Sequence, residues 1–166
     1  MLVTRADMAM ILTWDCWIRQ NMINPLTATD VSSQLAPYVQ AVTSSGGPMR
    51  DTFMQFGPVM SPGQFVPSGN VPRTDLATWL VRALGKDADA QAAMHTATSF
   101  TDDSNIPAAA RGYVVVASSI GLMPGFVNPS PIEGGPVTYS WQPSTLVTRG
   151  ALALTMDKWY DIFMTP

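Results

Sequence analysis

Three stretches of this chain can be laid over one another without a gap: Val3-Thr4-Arg5-Ala6-Asp7-Met8-Ala9, Val71-Pro72-Arg73-Thr74-Asp75-Leu76-Ala77 and Val147-Thr148-Arg149-Gly150-Ala151-Leu152-Ala153. In each, a β-branched Val stands two positions before an Arg, and an apolar residue and an Ala follow in the first helical turn after it. Recurrence at intervals of many tens of residues is the mark of an internally repeated architecture, in which each unit covers its apolar face with another. The match extends upstream. Phe65-Val66-Pro67 starts eight residues before Arg73, and Trp141-Gln142-Pro143 starts eight before Arg149. Tyr38 and Tyr113 occupy corresponding places in the helices that lead each of these units. The first unit has no such front half. The chain thus reads as a single domain over 1–166, with a half repeat at 1–25, a second repeat at 26–86, a connector at 87–98 and a third repeat at 99–166.

Local patterns give the elements. Thr4 as N-cap with Asp7 three positions on predicts a capping box opening a helix over 4–20, with Met8, Ile11 and Leu12 inward and Pro25 closing it. A second helix is expected over 31–44 behind Asp30 as cap, with Pro37 delaying its start. A third spans 73–85, with Leu76, Trp79, Leu80 and Leu84 inward and Gly85 as its stop. A fourth spans 107–120 on Tyr113, Val116 and Ile120, behind caps at Asp102 and Asp103, and the last runs 149–163. The Ala-rich connector is either a linker or, as favoured here, a short helix. Residues 50–70 and 123–146 are Gly/Pro-rich ordered loops. The first is long enough for a short hairpin, and Val137 to Trp141 alternates like a strand. The expected class is mainly α, a pseudo-threefold set of helical repeats with long ordered loops.

Composition excludes several functions. Hydrophobic content of 46% with only 13% charged residues belongs to a folded chain rather than a disordered one. A net charge of −3 is the wrong sign for a nucleic-acid partner. No apolar run is long enough to span a membrane. A single cysteine, Cys16, allows no internal disulfide. His95 is the only histidine and no Gly-x-Ser-x-Gly surrounds a serine, so no hydrolase triad is legible. One His and one Cys cannot seed a zinc site, and no glycine-rich phosphate loop opens a helix. The expectation is a non-enzymatic protein with no metal and no cofactor.

The ordered set Phe100-Thr101-Asp102, Gly121-Leu122-Met123-Pro124-Gly125, Trp141-Gln142-Pro143 and Val147-Thr148-Arg149 resembles an S-layer homology repeat. The middle unit resembles it through Asp30, Phe65-Val66-Pro67 and Val71-Pro72-Arg73-Thr74-Asp75, and the first through Val3-Thr4-Arg5-Ala6-Asp7 alone. Three departures stand out. Ala151 replaces the acid, Pro72 replaces the Thr, and Gly47-Pro48-Met49-Arg50-Asp51 lacks the second Gly of the turn. The resemblance implies an extracellular module at the cell surface or cell wall that binds acidic, often pyruvylated, cell-wall polysaccharide. It implies that Arg5, Arg73 and Arg149, with Asp7, Asp75, Gly121 and Gly125, hold the ligand.

The residues alone leave the arginines open. A cation in the first turn of a helix opposes the positive end of its dipole, at a cost of up to about 1 kcal/mol, and three such cations call for partners. Those are either carboxylates of a neighbouring unit or an anionic ligand. The first gives a structural or protein-interaction module of a larger exported protein, the second a polysaccharide anchor. For Trp79 the inward register means core; Trp14, Trp17 and Trp159 fall at helix ends or outer faces. The absent front half implies that parent domains lie upstream, and that the isolated chain self-associates or folds incompletely around 4–20.

Overall fold

Threonine side chains cap two of the helices, those that begin at Arg5 and Arg149. The computed structural model describes residues 1–19, 26, 28–50, 63–130 and 132–165. Among these are six helices: α1 (Arg5–Trp14), α2 (Ala36–Thr43), α3 (Arg73–Ala83), α4 (Asp87–Ala92), α5 (Arg111–Ser119) and α6 (Arg149–Met164). Two short 3-10 turns, Asp103–Asn105 and Ala108–Ala110, lead into α5. Strands β1 (Phe126–Asn128) and β2 (Thr138–Ser140) pair antiparallel, with Val127 opposite Tyr139. α1 stops at Trp14 rather than near residue 20, with Asp15 as its C-cap. α2 begins only at Ala36, with Pro37 in its first turn, where the missing N–H costs nothing. The connector is helical as α4. Pro25 and residues 51–62, on which the expected helix stop and most of the first hairpin fall, lie outside the described residues.

The expected class is corrected by this architecture. The chain is mixed α/β, not a mainly α set of pseudo-threefold helical repeats. The second long loop folds on itself as β1–β2, and the helices between successive Arg segments differ in number and length.

The segments preceding α1, α3 and α6 nevertheless meet. Val3 N donates to Val147 O (2.9 Å), Val147 N to Val71 O (2.9 Å) and Val71 N to Val3 O (3.2 Å), a closed cycle of three backbone hydrogen bonds. All three valines are buried. Two residues on, Arg5 N donates to Gly69 O (2.8 Å), Arg73 N to Thr145 O (2.9 Å) and Arg149 N to Met1 O (3.1 Å). Each of these helices therefore has one of its orphan N–H groups satisfied by the neighbouring segment's carbonyl.

The core lies around α3, whose residues Thr74 to Val81 are buried on every side. α5 packs on α3 and α4, and α2 packs on α1. In the region expected to fold incompletely, Met8 and Leu12 of α1 are fully buried within this chain and Ile11 is half-buried. Trp159, placed by its sequence context on an outer face, is also fully buried, and its Nε1 donates to Leu80 O at 3.1 Å. A partly buried polar knot ties α3, α4 and α5 together. Tyr113 Oη donates to Asp87 Oδ1 (2.6 Å) and accepts from Arg82 Nε (3.1 Å) and Gln91 Nε2 (2.9 Å).

Leu80 has no exposed surface and sits where α3 meets Trp159. Leu80→Ala is expected to lower stability by about 2–5 kcal/mol, read as a lower urea midpoint at unchanged slope. A midpoint that does not move would place the core elsewhere.

Candidate functional site

Two aspartates that resemble helix caps in sequence do something else. Asp30 accepts from Phe65 N (2.8 Å) and Val66 N (2.7 Å), and Asp102 accepts from Trp141 N and Gln142 N, both at 2.7 Å. Val66 and Gln142 have φ of 53° and 57°, left-handed values rare for residues other than glycine. Consecutive N–H groups around such a residue converge on one point and bind an anion there. Each carboxylate thus holds an aromatic-x-Pro turn in a conformation its residues do not favour, which turns Phe65 and Trp141 inward, both fully buried. One aromatic then lies beside each of two arginines.

The three helix N-termini carrying the arginines differ in a way the sequence departures explain. At α1 the capping box is complete: Thr4 Oγ1 accepts from Asp7 N (3.1 Å) and Asp7 Oδ2 accepts from Thr4 N (2.9 Å). At α3 the N-cap is Pro72, which has neither hydroxyl nor N–H, so Asp75 loses both capping interactions. Asp75 is 3% exposed and its Oδ1 has no hydrogen-bond partner among the described residues. At α6, Thr148 Oγ1 accepts from Ala151 N (3.2 Å), but Ala151 returns nothing.

The arginines diverge accordingly. Arg5 is 6% exposed, donates from Nε to Phe65 O at 2.6 Å, and lies 4.9 Å from the Phe65 ring centroid and 5.7 Å from that of Trp79. Burial pulls its pKa down to about 10, with the charges of Asp75 and Asp30 opposing. Arg149 has a 58% exposed side chain and an ion pair with Asp7 at 3.3 Å. Asp7, pushed up by burial, is nonetheless held below its ordinary value by hydrogen bonds from Thr4 and by Arg149. Arg73 has neither arrangement. Its guanidinium is held between Trp141 and Phe126, 4.4 and 4.5 Å from the ring centroids, and Nη2 donates to Pro124 O. Burial alone brings it down to about 10, and no carboxylate lies within ion-pair distance of it among the described residues. The order of the valine cycle gives the reason. Arg5 faces the segment bearing Asp75 and Arg149 that bearing Asp7, so Arg73 faces the segment whose acid position is Ala151.

The expected site residues therefore do not form one site. Arg5 with Asp75 is interior, Arg149 with Asp7 lies at the surface, and Arg73 lies against the Gly121–Gly125 turn through Pro124. The two glycines have internal reasons. Gly121 has φ +74° just beyond α5, and a side chain at Gly125 would collide with the Phe100 ring and come within 3.1 Å of Ser140 O. Pro124, which belongs to the Gly121–Gly125 turn already singled out, and Phe126, which carried no signal in sequence, complete the Arg73 site. His95 is exposed, and Cys16 is buried with its thiol pushed up to about 12 by burial and by Asp15, so it is inert as a nucleophile. Among the described residues no group of three or more His, Cys, Asp or Glu side chains is placed to hold a metal ion, and no helix is long and apolar enough to cross a membrane.

No protein-family model matches this chain, and no curated protein does. Among solved structures it is similar to an undecaheme cytochrome from the S-layer of Carboxydothermus ferrireducens, at 14% identity and a TM-score of 0.44. That likeness covers the whole of this chain and 23% of the cytochrome, and is too slight to carry function across.

Burial pushes Asp75 up to about 6, opposed by Arg5. A carboxyl raised in the folded state binds its proton there more tightly than in the unfolded chain, so stability falls as pH rises from about 4 to about 6. The span corresponds to roughly 3 kcal/mol. Asp7, Asp87 and Asp103 are held low and act in the opposite sense, below about pH 4, so the upper window isolates Asp75. Asp75→Asn is expected to flatten the urea-denaturation free energy between pH 4 and 6. An unchanged slope in the variant would show that Asp75 is not the group responsible.

Proposed function

We propose that this chain is a non-catalytic attachment module that binds an acidic cell-envelope polysaccharide, and that Arg73 is its principal contact. The observation that carries the reading is the unbalanced charge of Arg73. A half-buried guanidinium with no carboxylate beside it among the described residues is offset only in part by two aromatic faces and one carbonyl. A carboxylate on a polymer would supply the missing charge through the fork geometry that guanidinium offers. Trp141 and Phe126 fix the plane of that fork in advance, which cuts the ordering cost of binding. The resemblance to S-layer homology repeats supplies the ligand class and the surface location, with the module serving a larger exported protein.

A structural or protein-interaction module is the alternative, and Arg5 favours it locally. That side chain is enclosed by Phe65 and Trp79 and is reached by no polymer, so its role is internal. Arg149 is partly neutralised by Asp7.

Purified pyruvylated cell-wall polysaccharide provides the test. Arg73→Gln is expected to weaken co-sedimentation by roughly tenfold to a hundredfold, the scale of one charged hydrogen-bonded contact. Arg73→Lys should fall between, since it keeps the charge and loses the fork. Arg149→Gln should have the smaller effect, and Arg5→Gln should lower thermal stability. Equal binding by wild type and Arg73→Gln, with both folded by circular dichroism, would sink the proposal in favour of the interaction module.

A further inference from the structure

Away from Arg73, an open groove of about 390 Å³ runs between the end of α1 and the outer side of α6, lined by Trp14, Asp15, Trp17, Met156, Trp159 and Tyr160. Trp14 is 61% exposed, Trp17 56% and Tyr160 50%. Large aromatic side chains left this open, three around one groove, mark a contact surface rather than a fault in packing. The rings are also held in place. Trp14 meets Tyr38 edge-on at 5.3 Å, Trp17 lies 5.2 Å from Phe163, and Phe163 stacks at 5.1 Å on the buried Trp159. Trp17 adopts φ +50°, a strained value for a bulky residue.

The lining narrows the occupant. It holds one carboxylate, Asp15, and no Lys or Arg, so the groove repels an acidic ligand. Asp15 makes no ion pair or side-chain hydrogen bond among the described residues, nor does the Tyr160 hydroxyl. The apolar face of a docking helix would strip water from that carboxylate without pairing it. It would also find Met156 as the groove's one non-aromatic apolar residue. A neutral sugar meets both demands: its flat C–H face stacks on an indole, and its hydroxyls donate to Asp15 and exchange hydrogen bonds with Tyr160.

We infer that this groove is a second glycan site, selective for a neutral pyranose chain, with Trp14 and Trp17 as the stacking platform and Asp15 as the hydroxyl acceptor. It does not depend on Arg73 or on the polymer proposed there. Together the two sites would let one module grip an uncharged and a charged part of the same envelope, with the avidity that linked contacts give.

Three neutral probes test it on the full chain: cellohexaose, N,N′-chitohexaose and mannohexaose, by calorimetry with tryptophan emission read in parallel. Saturable binding of at least one is expected, with Trp14→Ala and Trp17→Ala each weakening it by roughly tenfold. Arg73→Gln should leave that binding unchanged, which separates this inference from the acidic-polymer reading. Both tryptophans are exposed, so the variants should fold, as circular dichroism checks. The inference is overturned by no saturable binding of any of the three, or by full affinity in the double Trp14→Ala/Trp17→Ala variant. It is overturned too by a dimer in sedimentation that Trp17→Ala converts to monomer, because the groove would then belong to a second copy.

Discussion

Three buried backbone N–H groups, those of Val3, Val71 and Val147, each find their acceptor on the next of the three segments. No two of them can satisfy each other, so the cycle closes only when all three are present. A buried N–H left without a partner costs on the order of 1–3 kcal/mol, which makes the junction close to all-or-none. Its closure seats Arg5, Arg73 and Arg149 at the starts of α1, α3 and α6, each with its N–H on a neighbour's carbonyl. Valine suits the position because a β-branched side chain favours extended backbone and is apolar enough to be buried there.

What the junction holds in common, the residues around it diversify. The same first-turn position carries a cation three times, against the helix dipole, and each is offset differently. Arg5 is offset inside the protein by Asp75, Asp30 and two rings, and Arg149 at the surface by Asp7. Arg73 is offset by rings and a carbonyl but, among the described residues, by no carboxylate, since position 151 is alanine. The exchange of Thr for Pro72 has its own consequence: it releases Asp75 from capping and leaves a buried carboxyl with a raised pKa. Two small departures from one pattern thus separate an interior Arg–Asp pair from a half-buried cation with no carboxylate beside it among the described residues.

How much of this was legible follows from range. The Thr4–Asp7 box, the inward register of Leu76, Trp79 and Leu80, and the stop at Gly85 depend on residues within one or two turns, and a sequence displays them. The alternation of Val137 to Trp141 marked β2, but the mainly α reading failed because its three-residue partner Phe126–Asn128 carries too little alternation to be seen. The burial of Trp159 was invisible because it depends on the Leu80 carbonyl, far away in sequence. The clamps by Asp30 and Asp102 were hidden by Val66 and Gln142, since neither residue type announces a left-handed backbone. The recurrence singled out the three arginines but could not tell which neighbour each would face, and that relation decides which is buried and which is open.

The claim on which everything else rests is that the three valine amides form one closed junction. Native-state amide hydrogen exchange measures this most directly. Val3, Val71 and Val147 are expected to exchange with the same free energy, equal to that of global unfolding, although Val3 lies outside any helix. Rapid exchange at Val3 with Val71 and Val147 still protected would contradict the account, because a cycle that opens at one member is not closed.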